Sequence, residues 1–189
     1  MPYRNVELRA GEHYHVYNRG NNYQSVFFEP ENYLYFLRQM RKYLTVDAVE
    51  IVAYCLMPNH YHLLVHLKTD EFSALMQPFA LSYTKAINKR YARVGSLFQG
   101  RFKAIHVDRD EYLLHLSRYI HLNPVTAGLV KRAESWEFSS YLDYIGLRKG
   151  TLSKPEIVLD QFPSPNDYRL FVEAYSEDDN KVVEHLMLD

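Results

Sequence analysis

The sequence has a single cysteine, Cys55, so no disulfide can close within the chain, which fits a reducing compartment. No apolar run reaches the roughly eighteen residues of a membrane span, and no secretory pattern opens the chain. These absences predict a cytoplasmic protein with no membrane partner. Net charge is also lacking: at −1, the chain as a whole gives no reason to expect a polyanion. There is no internal repeat and no low-complexity tract. Tyrosine is plentiful at 17 residues, too many for number alone to single out a nucleophile. Cys55 lies in an apolar stretch and reads as a core residue.

A length of 189 residues and a hydrophobic content of 47% suit one domain with a sizeable core. His13 to Asn18 alternates as a strand does and ends at Arg19-Gly20-Asn21-Asn22, a turn. Pro30 opens a helix carrying Tyr33, Phe36, Leu37, Met40 and Leu44 at helical spacing. Val49 to Met57 and His60 to Leu67 read as a hairpin broken at Pro58-Asn59. A second helix, capped by Thr69 or Asp70, runs to Gly95-Ser96. Phe102 to Val107 is a fourth strand. A third helix starts at Asp108 or Asp110 and stays regular to about Asn123, before Pro124. The order β-α-β-β-α-β plus a helix predicts an α+β fold: a ferredoxin-like sheet whose open face is covered by the third helix. Its first and third strands would be neighbours, placing His13 and His15 beside the strand of His60 and His62. We divide the chain into a domain over 1–130 and an extension over 131–189. The extension is aromatic at first (Trp136, Phe138, Tyr141, Tyr144). From Pro155 it is acidic, with nine carboxylates against Arg169 and Lys181.

The near-neutral average hides one basic stretch. Between Tyr83 and Lys103 lie Lys85, Lys89, Arg90, Arg93, Arg101 and Lys103, with no acid. Tyr83, Tyr91, Phe98 and Phe102 are interleaved. Basic groups neutralise phosphates and aromatic rings stack on unpaired bases, so this stretch predicts nucleic-acid binding. Gly95 and Gly100 would let the loop approach a nucleic-acid backbone closely.

His60 and His62 are two apart in a strand and share a face. On the pair alone two readings stand: two legs of a metal site, or strand histidines hydrogen-bonded to neighbours. Tyr119 and Asn123 are four apart and share a face of the third helix. Over the open sheet face they would meet the histidines, Asn123 offering an amide oxygen and Tyr119 a phenol. A free phenol has a pKa near 10 and stays protonated at neutral pH, a handicap that a divalent cation polarising a phosphate would lessen. His115 and His121 are given no catalytic role.

Met57-Pro58-Asn59-His60-Tyr61-His62-Leu63-Leu64-Val65 resembles the histidine–hydrophobic–histidine motif of the HUH single-tyrosine transposases, the IS200-like superfamily. Ser96 to Lys103, Arg118 to Val130, Tyr14 to Asn22 and Trp136 to Tyr141 resemble motifs of its REP-associated branch. The likeness runs from about residue 10 to 146. It departs at Tyr61, where aliphatic residues are common, and at Phe138, where Trp is usual. The resemblance implies metal-dependent cleavage of single-stranded DNA, with His60, His62 and Asn123 as metal ligands and Tyr119 as nucleophile. His15 becomes a candidate for supporting the ligands from behind. Two imidazoles alone would suggest Mn²⁺ or Zn²⁺; the resemblance favours Mg²⁺ or Mn²⁺.

The expected function is therefore a transposase and endonuclease acting on single-stranded or hairpin, REP-like DNA through a 5′-phosphotyrosine. Lys85, Lys89, Arg90, Arg93, Phe98, Gln99, Arg101 and Lys103 are the expected DNA contacts. The main rival is a non-catalytic, domesticated hairpin-DNA-binding protein. A phosphodiesterase using water is a weaker rival, because Leu64 stands where a Ser or Thr would follow the second histidine. Monomer and homodimer remain equally open.

Overall fold

A computed structural model describes residues 6–176 and 181–186. Glu177, Asp178, Asp179 and Asp189 of the acidic segment lie outside the described residues.

Four strands form one antiparallel sheet: β1 (His13–Arg19), β2 (Val49–Met57), β3 (His60–Leu67) and β4 (Lys103–Val107), in the order β2-β3-β1-β4. With α1 (Pro30–Tyr43), α2 (Phe72–Arg90) and α3 (Asp110–Thr126), the chain has the expected ferredoxin-like order. Proline fixes φ and lacks an N–H, so Pro30 suits the first turn of α1; Glu31 follows it and Arg41 and Lys42 close the helix, each favoured by the helix dipole.

The pleat sends alternate residues to opposite faces. Tyr14, Val16, Tyr61, Leu63 and Val65 meet Phe36 and Met40 of α1 and Phe72, Phe79 and Tyr83 of α2 in one apolar cluster. Tyr61 thus faces away from the histidines between which it stands. Ala53, Cys55, Met57 and Leu64 point the other way and meet Leu113, Leu116 and Ile120 of α3. Cys55 is fully buried, and burial pushes its thiol up, as befits a core residue.

Between residues 131 and 176 the extension carries three short α-helices, α4 (Tyr141–Tyr144), α5 (Glu156–Leu159) and α6 (Pro165–Glu173). Before them, the chain over 136–140 runs along the outer edge of β2. The Trp136 indole donates to the Leu56 carbonyl, Leu56 N donates to the Phe138 carbonyl, and Ser140 N to the Tyr54 carbonyl. An edge strand is thereby covered. Phe138 stacks on Tyr33 at 4.0 Å, so its departure from Trp is a matter of packing.

Some boundaries differ from the sequence reading. Asp70 does not cap α2: its carboxylate accepts from Ala10 N at 2.7 Å, a contact across sixty residues that no local pattern reveals. Thr69 accepts from Glu71 N, and the helix begins at Phe72. It ends at Arg90, short of Gly95, with Ala92 in a left-handed conformation just beyond. The fourth strand begins at Lys103, one residue later than expected.

Candidate active site

The register fixes which side chains meet. His62 lies opposite Tyr17 on β1 and Cys55 on β2, His60 opposite Arg19 and Met57, and His15 opposite Leu64. All of these project to the face that α3 covers. The His60 and His62 rings stand 5.0 Å apart and nearly perpendicular.

The hydrogen bonds assign the ring nitrogens. Asn59 turns its amide nitrogen to the Tyr23 carbonyl and its oxygen to His60 Nδ1 at 2.6 Å. An amide oxygen only accepts, so Nδ1 of His60 carries the proton and Nε2 keeps its lone pair. His62 Nδ1 lies 2.9 Å from His15 Nε2. His62 Nε2 is buried without a hydrogen-bond partner. An orphaned nitrogen in a fully buried side chain is costly unless something fills the position. Burial, with His15 and His60 adding to it, holds His62 well below its usual pKa; burial likewise lowers His60 to about 4, against a hydrogen bond with Asn123. Neutral imidazoles with free lone pairs are what metal ligation requires.

Helix α3 brings the other two groups. The Tyr119 ring lies 5.5 Å from His62 and 6.3 Å from His15, edge-on to both. Asn123 donates from its amide nitrogen to the Tyr119 carbonyl at 2.9 Å, and its side chain also meets His60. The structure therefore gathers His15, His60, His62, Tyr119 and Asn123, all from one chain. Among the described residues no group of three or more His, Cys, Asp or Glu side chains is arranged to hold a metal ion. Two neutral imidazoles and an amide oxygen, if Asn123 supplied one, are donors that a divalent cation would accept.

The residues flanking Tyr119 are anchored to the extension. Arg118 lies 4.2 Å over the Phe171 ring and donates to the Phe171 carbonyl. His121, fully buried, bridges Tyr168 Oη (2.7 Å) and Ser140 Oγ (2.8 Å), and Tyr168 Oη also meets Ser117 Oγ at 3.0 Å. Sequence reasoning set His121 aside; its partner Tyr168 lies 47 residues away, beyond any local pattern.

The basic stretch divides. Lys103 approaches the site, its ammonium 5.9 Å from the Tyr17 ring, which itself lies 6.3 Å from His62. Gln99 and Arg101 are exposed on the loop before β4, which is pinned to the end of β1 by Gln99 N donating to the Arg19 carbonyl. Arg93 donates to Gln24. Lys85, Lys89 and Arg90 are exposed on α2, which packs on the opposite sheet face; Lys89 and Arg90 line a groove of about 520 Å³ against Tyr35 and Arg38 of α1. Phe98 requires correction: it is 5% exposed and packs edge-on to Tyr61, so its ring is taken up by the core and is not open to a base. Tyr83 is likewise buried and donates to the Val26 carbonyl. Aromatic residues alternate with basic ones here because a helix and a strand each send one side inward. Gly100 has open space where a side chain would stand.

Residues 10–123 match the family model described as transposase IS200 like. A Haemophilus influenzae protein assigned to the REP-associated tyrosine transposases is 28% identical over 103 residues, 49% of this chain and 58% of that protein. The REP-associated tyrosine transposase of Escherichia coli K12 is 29% identical over 94 residues, 49% of this chain and 54% of that protein. The matches thus span little more than half the length of these relatives. A solved structure described as a REP-associated tyrosine transposase bound to a REP hairpin superposes with a TM-score of 0.65 at 22% identity, covering 82% of this chain and 90% of that one, which shows a shared fold. The described residues include no helix long and apolar enough to cross a membrane. With the family model matching well over half of its length, the chain belongs to the IS200-like transposases.

Proposed function

We propose that this chain cuts and rejoins single-stranded, hairpin-forming DNA by transesterification through Tyr119. The observation that carries the reading is the meeting, within one chain, of a phenol 5.5 Å from His62 with an Asn123–His60 pair on the same sheet face. His60, His62 and Asn123 would hold a divalent ion, Mg²⁺ or Mn²⁺. When bound, such an ion withdraws charge from a phosphate and eases departure of an oxygen. His15 would fix the tautomer of His62: with His62 Nδ1–H donating to His15, Nε2 is left as the ligating atom.

Tyr119 Oη attacks the phosphorus, its proton passing to water, and the P–O3′ bond breaks. The 3′ oxygen is protonated on leaving. The products are a 5′-phosphotyrosine and a 3′-hydroxyl, and the phosphoester energy kept in the linkage allows rejoining without ATP. Lys103, Arg101, Gln99 and Arg93 would hold phosphates near the site. Lys85, Lys89 and Arg90 could meet DNA only if it wraps round to the α2 side, and Phe98 has no part. The REP-hairpin description of the structural relative and the family match support a hairpin substrate.

A denaturing gel of labelled single-stranded hairpins incubated with Mn²⁺ or EDTA tests the reading. A metal-dependent protein–DNA band, lost in Tyr119→Phe while binding persists, is expected. Cleavage without a linked band would replace it by a hydrolase; binding without cleavage would replace it by the non-catalytic hairpin binder.

A further inference from the structure

One exposed aromatic residue tied to the histidines lies outside the basic stretch. Tyr23 ends a short turn, Asn21–Tyr23, just after β1, and it is 65% exposed. Two successive residues there take left-handed φ, Asn22 at 51° and Tyr23 at 59°. Asparagine tolerates that region, but a bulky residue rarely adopts it, and such strain persists only where the surroundings impose it.

Here the surroundings do so from several sides. Gly20 N donates to the Asn59 carbonyl at 2.7 Å, Asn21 N to the Leu97 carbonyl at 2.9 Å, and Val26 N to the Pro58 carbonyl at 2.8 Å. The turn is so tight that a Cβ on Gly20 would stand 1.9 Å from the Gln24 carbonyl oxygen. The Tyr23 carbonyl accepts from Asn59, whose other amide atom holds His60. The position of the ring is thus tied to a residue of the site by two hydrogen bonds.

Arg19 completes the arrangement. It is the register partner of His60, and its guanidinium carbon lies 4.3 Å above the Tyr23 ring. Arg19 is also close enough to His60 to disfavour its protonated form. The same surface continues through Gln24, which accepts from Arg93, to a second pair in which the Arg93 guanidinium lies 5.5 Å over the 41%-exposed Phe28 ring. Exposed rings backed by guanidinium groups are how proteins bind unpaired nucleotides: the ring stacks on a base and the cation serves the neighbouring phosphate.

We propose that Tyr23 is a stacking platform for one unpaired base beside the hairpin, adjacent to the phosphate presented to Tyr119, with Arg19 backing the ring. This rests on the single-stranded DNA reading above and adds a nucleotide subsite to it.

The test is fluorescence anisotropy of the full chain in EDTA, so that binding is read without cleavage. The probes are a hairpin with a single-stranded extension, the same hairpin trimmed flush, and a series with one abasic site at each extension position. Tyr23→Ala is expected to weaken binding of the extended hairpin by roughly 10- to 100-fold, the range of one base–aromatic stack. It should leave the trimmed hairpin unchanged, and Tyr23→Phe should bind as the parent does. One abasic position should weaken the parent equally and Tyr23→Ala not at all. Equal affinities of parent and Tyr23→Ala for the extended hairpin, or equal losses on both hairpins, would overturn the platform while leaving Tyr119 chemistry standing if the parent still forms the covalent band. A parent that binds no hairpin at all would overturn both.

Discussion

The two faces of the sheet are built to opposite rules. Toward α1 and α2, strand residues meet rings and aliphatic chains, with Phe36 edge-on to Phe79 and Tyr83. Toward α3, the same strands present buried His15 and His62 and partly buried His60, and the layer behind them adds Ser117, His121, Ser140 and Tyr168, these four buried. An apolar face needs only volume filled. A polar face must also satisfy every donor and acceptor, because a buried group left unpaired costs about 1–3 kcal/mol. The Ser117–Tyr168–His121–Ser140 chain meets that demand with partners at 2.7 to 3.0 Å, whereas His62 Nε2 and, at the far end of the same face, His13 Nε2 do not. The satisfied network ties α3 to the extension, and of the two unsatisfied atoms only His62 Nε2 lies beside the Tyr119 ring, which is where the proposed ligand would sit.

That comparison can be broken from either side. The largest change is expected on the apolar face. Phe36→Ala should lower stability by about 3–5 kcal/mol in urea denaturation, the cost of an unfilled aromatic cavity. On the polar face, Tyr168→Phe keeps the ring but strips the hydroxyl partner from His121 Nδ1 and Ser117 Oγ, so a loss of about 1–3 kcal/mol is expected. A loss as large as that of Phe36→Ala would mean the network does more than satisfy α3. His15→Ala should leave stability closer to the parent than Phe36→Ala does and raise the Mn²⁺ concentration needed for cleavage about 10- to 100-fold, with activity returning at saturating metal. An unchanged metal requirement would remove His15 from the site.

The smallest effect sharpens the contrast at the far end of the α3-facing side. His13 stacks on His66 at 4.6 Å, and burial, then the charge of His66, lowers its pKa against the opposing pull of Asp110, Glu12 and Glu50. A base whose folded value lies below its unfolded one binds fewer protons when folded, so this contribution is present above about pH 6.5 and is lost as the pH falls toward the folded value. His13→Gln should therefore lose less stability between about pH 7.5 and about pH 5.5 than the parent does, by a fraction of the ~1.4 kcal/mol carried by one pKa unit. An identical slope would show that His13 titrates normally.

Much of this was legible in the sequence, for physical reasons. Alternation set the strands and put His60 and His62 on one face, Pro30 and Pro58 marked a helix start and a turn, and helical spacing placed Tyr119 with Asn123. What stayed hidden depends on distance along the chain or on backbone strain. Asp70 looks like a cap until Ala10 claims it. Phe98 looks like a stacking residue until the edge-on contact with Tyr61 buries it. His121 has no visible partner until α6 returns with Tyr168, and nothing in Asn21-Asn22-Tyr23 announces a left-handed tyrosine.

Mass spectrometry of the covalent species would identify the residue that attacks DNA. Hairpin DNA is incubated with the protein and Mn²⁺, the product is digested with nuclease and protease, and the peptide carrying a residual nucleotide is sequenced. A 5′-phosphonucleotide on Tyr119 is expected, absent when His60 and His62 are both replaced by alanine. A nucleotide on any other residue, or free 5′-phosphate ends with no linked peptide, would contradict it.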